Sequence, residues 1–138
     1  MDAKQGQRAT RSLAVDEGTV AAYAEITGDR NPLHFDEAFA ARTRFGRLIA
    51  QGGIATGLLY ALVAMDLPGA GSVFVRQSWK FPKPVFIGDT ITAEAVVTSV
   101  NERRRLAEME FRIVNQDGYV VLEGEALVHQ AALASEGD

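Results

Sequence analysis

Residues 54–65 run for twelve positions without one charged side chain. A membrane span takes about 20 apolar residues, so this segment is too short to cross a bilayer. It suits a helix buried on most of its faces. Gly52-Gly53 opens it, and Asp66 with Pro68-Gly69 stops it. Beyond Gly71 the period changes from helical to alternating. Val73, Val75, Gln77, Trp79 and Phe81 alternate with Phe74, Arg76, Ser78 and Lys80, until Pro82-Lys83-Pro84 breaks the run. Residues 90–100 place Ile91, Ala93, Ala95 and Val97 on one face; residues 106–114 do the same with Ala107, Met109, Phe111 and Ile113. Asp117-Gly118 is a hairpin signal. Residues 119–128 form a last strand with Glu123 and Glu125 on its wet face. Strands that alternate bury one face only, so they need an apolar partner. The segment 54–65 is the natural object for them to wrap. The expected fold class is α+β, a single domain with an antiparallel sheet wrapped round a long central apolar helix.

The first part of the chain is organised differently. Residues 1–11 are polar and are expected to be a flexible N-terminus. Residues 12–15 suit a short first strand, residues 12–130 make up the domain, and residues 131–138 are expected to be a flexible tail. Asp16 is placed to cap a helix through residue 26, with Val20, Tyr23, Ala24 and Thr27 along one face and Gly28 ending it. Next comes Gly28-Asp29-Arg30-Asn31-Pro32-Leu33-His34-Phe35-Asp36, which holds one of the chain's two histidines. Asp29 stands five residues before His34. Pro32 keeps Asn31 out of the α region, so the stretch is expected to be a rigid loop with no helix through it. Asp36 is suited to cap a short helix over residues 37–42. An acid and a base on a rigid loop suit proton transfer. Taken locally, the better account of the stretch is Asp29 as a turn residue and His34 as a surface residue, since turn and cap uses of aspartate are common.

Several function classes fall away on composition. The chain has 138 residues, 18 acidic against 14 basic, for a net charge of −4. A nucleic-acid binder would be basic. Cysteine is absent and histidine occurs twice, which leaves no disulfide, no thiolate site and no multi-histidine zinc site. No apolar stretch of membrane-spanning length occurs, and residues 1–10 lack the apolar core of a signal peptide. The default is a cytoplasmic protein that contacts neither nucleic acid nor membrane.

The chain resembles the MaoC-like, or type 2, enoyl-CoA hydratases. The resemblance is carried by Tyr23, by Thr27-Gly28-Asp29-Arg30-Asn31-Pro32-Leu33-His34, by Phe39-Ala40-Ala41 and Leu67-Pro68-Gly69, and by Phe81 with Pro84-Val85-Phe86-Ile87-Gly88-Asp89. It spans roughly residues 15–128. The single-domain length is similar to that of the short (R)-specific hydratases that feed polyhydroxyalkanoate synthesis. The resemblance implies a hot-dog fold, a homodimer, an acyl-CoA substrate, no cofactor and no metal. It implies reversible addition of water to a trans-2-enoyl-CoA, giving the (R)-3-hydroxyacyl-CoA.

On that resemblance His34 activates the water, and Asp29 orients it and relays the proton. Asn31 either orients a catalytic side chain or serves the turn alone. The backbone N–H of Gly52, at the start of the central helix, is placed to polarise the thioester carbonyl, with Gly53 and Gln51 beside it. The alternative for Gly52-Gly53 is a tight turn. The sequence departs from the family at Gln51, where histidine is common, and at Tyr60, where a small hydroxyl residue is expected. Tyr60 either reaches the substrate or is a core aromatic. Trp79 and Phe81 are expected in the core or at an interface, and His129 is expected to be structural. Arg42, Arg44, Arg47, Lys80 and Lys83 are candidates for the CoA phosphates. Two other functions fit the same fold: an acyl-CoA thioesterase, and a non-catalytic acyl-binding module. The lack of a carboxylate on residues 54–65 disfavours the thioesterase, and the Asp29/His34 pair disfavours the binding module.

Overall fold

The structure, a computed structural model, describes residues 1–134. Its elements follow in the order β1 (Arg8–Ala14), α1 (Glu17–Thr27), α2 (Pro32–Phe35), α3 (Glu37–Ala41), α4 (Gly52–Met65), β2 (Ser72–Lys80), β3 (Thr90–Asn101), β4 (Leu106–Val114) and β5 (Val120–Gln130). The strands form one five-stranded sheet in the order β1-β3-β4-β5-β2, and every adjacent pair is antiparallel.

Helix α4 lies against this sheet, touching β1, β2 and β3, with α1 beside it. Ile54, Ala55, Leu58, Leu59, Leu62 and Val63 are its buried residues. They face Ile91, Ala93, Ala95 and Val97 from β3 and Ala107, Met109, Phe111 and Ile113 from β4, all buried as the alternation requires. The face of α4 that carries Tyr60 is open. No described helix is long and apolar enough to cross a membrane.

The caps follow local chemistry. Asp16 accepts the Thr19 N–H at 2.9 Å, and the Thr19 hydroxyl oxygen accepts the Asp16 N–H at 3.3 Å, a reciprocal capping box. Gly28 ends α1 with φ of 80°, where a side chain would be strained.

Two expectations are corrected. The first strand begins at Arg8 rather than Ser12, because this edge strand pairs with β3 from Arg8↔Val96 to Ala14↔Thr90. Residues 1–11 are not a frayed arm. Ala3 is fully buried, the Met1 ammonium sits 2.8 Å from Glu102, and the Asp2 N–H donates to Gln130 Oε1 at 2.8 Å. Of the tail, Ala131 is tied by its N–H to the Gly71 carbonyl at 2.9 Å, while residues 135–138 lie outside the described residues.

Strand β2 breaks its own alternation. Its pairing with β5 shifts between Phe74 and Arg76, a bulge that inserts one residue and reverses which side chains face inward. Phe74 and Trp79 turn towards the core, and Val73 and Val75 are exposed at 55% and 57%. Phe81, past the strand's end, is 53% exposed.

Candidate active site

The loop after α1 builds the acid. The Thr27 hydroxyl donates to the Tyr23 carbonyl at 2.8 Å and accepts the Asp29 N–H at 3.1 Å. Asp29 Oδ1 then accepts the Asn31 N–H at 3.3 Å, and Asn31 Oδ1 accepts the Leu33 N–H at 3.0 Å. Asn31 therefore caps α2, and Pro32 occupies the first helical position, where its missing N–H costs nothing. The stretch is thus not a plain loop: it contains one helical turn, and that turn carries His34.

The base is held from behind. His34 is buried, and its Nδ1 lies 2.7 Å from the Ile49 carbonyl oxygen. A carbonyl only accepts, so Nδ1 carries the proton and the neutral imidazole has its lone pair on Nε2. Nε2 faces Asp29 Oδ1 at 3.8 Å, beyond direct hydrogen-bond length. The carboxylate is half-exposed, so the pair opens towards solvent on the acid's side.

The start of α4 lies close by. Gln51, its N-cap residue, is buried and makes no side-chain cap bond. Its amide Nε2 instead donates to the Val20 carbonyl at 3.1 Å and reaches the Asp29 carbonyl at 3.5 Å, so it joins α1, the acid's backbone and the helix start. The Gln51 Oε1 is buried without a partner among the described residues. The N–H groups of Gly52 and Gly53 also have no partner there, as expected for the first turn of a helix. Gly53 has a steric reason to be glycine. The Tyr23 hydroxyl and ring fill the position a Cβ would take.

A cavity of about 300 Å³ opens beside Gly52, lined among others by Gln51, Ala55, Phe81, Val85 and Val121. Tyr60 is placed elsewhere. It follows Gly52 by eight residues along α4, roughly 12 Å along the axis. Its hydroxyl donates to Gln77 Oε1 at 2.7 Å, and its ring packs edge-on against Phe74. The structure thus brings together Asp29, Asn31, His34 and Gln51; Gly52 and Gly53 adjoin them through Gln51, the cavity beside Gly52 is lined by neither Asp29 nor His34, and Tyr60 stands apart. No group of three or more described His, Asp or Glu residues is arranged to hold a metal.

The MaoC like domain family model matches residues 2–117. The chain belongs to that family. Among MaoC-like relatives, it is 43% identical over 123 residues to an (R)-specific enoyl-CoA hydratase of Aeromonas caviae, covering 89% of this chain and 92% of that protein. It is 44% identical over 114 residues to a 3-hydroxybutyryl-CoA dehydratase of Methylorubrum extorquens, covering 83% and 72% respectively. The solved (R)-hydratase of A. caviae involved in PHA biosynthesis superimposes with a TM-score of 0.88 at 41% identity, over 94% of this chain and 98% of that one. The sheet wrapped on α4 is therefore the hot-dog fold of MaoC-like proteins.

Three contributors escaped the sequence reading of the site. Thr27 was legible in principle, since a hydroxyl two residues before an acid is a common turn device. Tyr23 needed its contact with Gly53. Ile49 acts through a main-chain carbonyl, which leaves no mark on residue type.

Proposed function

We propose that this chain catalyses the reversible addition of water to a trans-2-enoyl-CoA, giving the (R)-3-hydroxyacyl-CoA. The observation that carries the reading is the fixed tautomer of His34, whose free Nε2 lone pair faces the Asp29 carboxylate at 3.8 Å. That spacing suits one water held by both groups. His34 Nε2 takes a proton from the water as its oxygen bonds to C3. The C2–C3 π pair moves towards the thioester oxygen, where negative charge develops. The N–H of Gly52 and the positive end of the α4 dipole stabilise that charge. Asp29 relays the proton to C2, so water is added with all atoms accounted for. In this account Asn31 and Gln51 are positioning residues, because their polar groups hold the loop. Gly53, whose side-chain position is taken by Tyr23, adds its free N–H to the helix start. Tyr60 is assigned to the acyl-binding region, at the end distant from the reacting atoms. The stereochemistry follows the names of the similar hydratases.

The chain is read as a homodimer. The outer strand β2 exposes Val73 and Val75, and the Tyr60 face of α4 is open. Both are features of a surface made to be covered. Light scattering after gel filtration tests this, and a monomeric mass counts against it.

Addition of crotonyl-CoA tests the reaction. Loss of the enoyl-thioester absorbance without release of free thiol, with (R)-3-hydroxybutyryl-CoA as product, is the expected result. Thiol release instead would assign a thioesterase.

A further inference from the structure

Three cations near the Gly52 cavity are held in the same manner. The Arg44 guanidinium lies 4.6 Å from the centroid of Phe45, that of Arg47 lies 3.9 Å from Phe86, and the Lys83 ammonium lies 5.0 Å from Tyr119. Arg8, Arg11, Arg30 and Arg76 each have a carboxylate within ion-pair distance, whereas these three have none among the described residues. Stacking on a ring orients a cation without neutralising it.

All three line one groove of about 680 Å³. Two carboxylates share it. Asp89 is buried and already accepts the Phe86 N–H at 2.9 Å and the Gln116 amide at 2.9 Å. Asp117 sits in the turn between β4 and β5. The groove is therefore net positive on a chain whose overall charge is −4. It shares Arg44, Phe45 and Pro82-Lys83-Pro84 with the cavity beside Gly52. The other cations named from sequence separate from this group. Lys80 lines a groove on the sheet's outer face with Glu94, Glu110 and Glu123, and Arg42 caps α3 and lines neither of the two connected spaces.

We propose that Arg44, Arg47 and Lys83 bind the phosphates at the nucleotide end of coenzyme A, so that this chain takes CoA thioesters in preference to carrier-protein thioesters. The inference rests on the enoyl-thioester reading of the Gly52 cavity and extends it along the substrate. A carrier protein's arm brings a single phosphodiester. CoA brings a diphosphate and a 3′-phosphate, which matches several oriented cations along one concave groove. Tyr119, an exposed ring on the same groove, adds an apolar surface for an adenine.

Calorimetric titration of CoA, 3′-dephospho-CoA and pantetheine into the wild type and the Arg47→Glu/Lys83→Glu variant tests the site. All the changes are on the surface, so folding is preserved. The expected result is CoA affinity that weakens with added salt in the wild type and by about tenfold or more in the variant, dephospho-CoA losing less and pantetheine nothing. A variant that binds CoA as tightly as the wild type overturns the site. So does a loss equal for CoA and pantetheine, or faster turnover of crotonyl-carrier protein than of crotonyl-CoA by the wild type. The titration needs no turnover. CoA binding without hydration would count against the hydratase reading alone, and hydration with CoA binding unmoved in the variant would count against this site alone.

Discussion

His34 has two jobs that two substitutions can separate. Its Nδ1–H holds the Ile49 carbonyl at 2.7 Å, and its Nε2 faces Asp29. An asparagine amide nitrogen stands the same number of bonds from the backbone as Nδ1. His34→Asn therefore keeps a donor for Ile49 and removes Nε2. His34→Ala removes both and strands a carbonyl against a mostly buried wall, a cost of about 1–3 kcal/mol. The two variants should thus differ in stability by roughly that amount, with alanine the weaker. They should be alike in activity, because a positioned general base contributes about 10²–10⁴-fold in rate and both have lost it. Urea unfolding followed by the fluorescence of Trp79, the one tryptophan, measures the first. The initial rate of absorbance loss with crotonyl-CoA measures the second. A His34→Asn enzyme turning over at close to the wild-type rate would refute the assignment of Nε2 as the base. Equal stability of the two variants would refute the role given to the Ile49 contact.

Three further outcomes are expected. Asp29→Asn keeps an oxygen for the Asn31 N–H, so its unfolding midpoint should hold while kcat falls by about 10²-fold or more; wild-type turnover would remove Asp29 from the mechanism. Gly53→Ala should destabilise the fold although alanine favours helices by about 1 kcal/mol, because its methyl overlaps Tyr23, and Tyr23→Leu in the same chain should restore part of the loss in a double-mutant cycle. The bond from the Thr19 N–H, then that from its hydroxyl, lowers the Asp16 carboxyl below the ordinary carboxylate value. A group depressed by folding stabilises above its unfolded value and loses that contribution as pH falls through the folded one. Asp16→Ala should therefore lower the urea midpoint at neutral pH, and the gap should close in strong acid.

How far the sequence alone could reach depended on the range of the interaction. Much of what rests on neighbours a few residues apart was legible, although the single helical turn α2 was not. The charge-free segment became α4, and the alternation of β3 and β4 chose their buried faces. Asp16, Asp36 and Gly28 cap as their types predict. Asp29 and His34 stood out because a proline fixed their loop and because the surrounding residues match a family. What depended on distant partners was not legible. The β2 bulge arises in the pairing with β5, and it alone decides that Phe74 and Trp79, which alternate out of phase, both face inward. The start of β1 at Arg8 is decided by the edge it finds on β3, since an edge strand with polar outward residues has little hydrophobic pattern of its own. The tautomer of His34 is set by a carbonyl fifteen residues away, and residue type says nothing about where a carbonyl points. Gln51 would pass for a substrate contact until its amide is found turned to the backbone of Val20 and Asp29. Local propensity and pattern sufficed to place an acid, a base and a helix start in one region. Tertiary packing alone brought His34 Nε2 to face Asp29, because that distance is fixed by α1, α2 and the entry to α4 closing on one another.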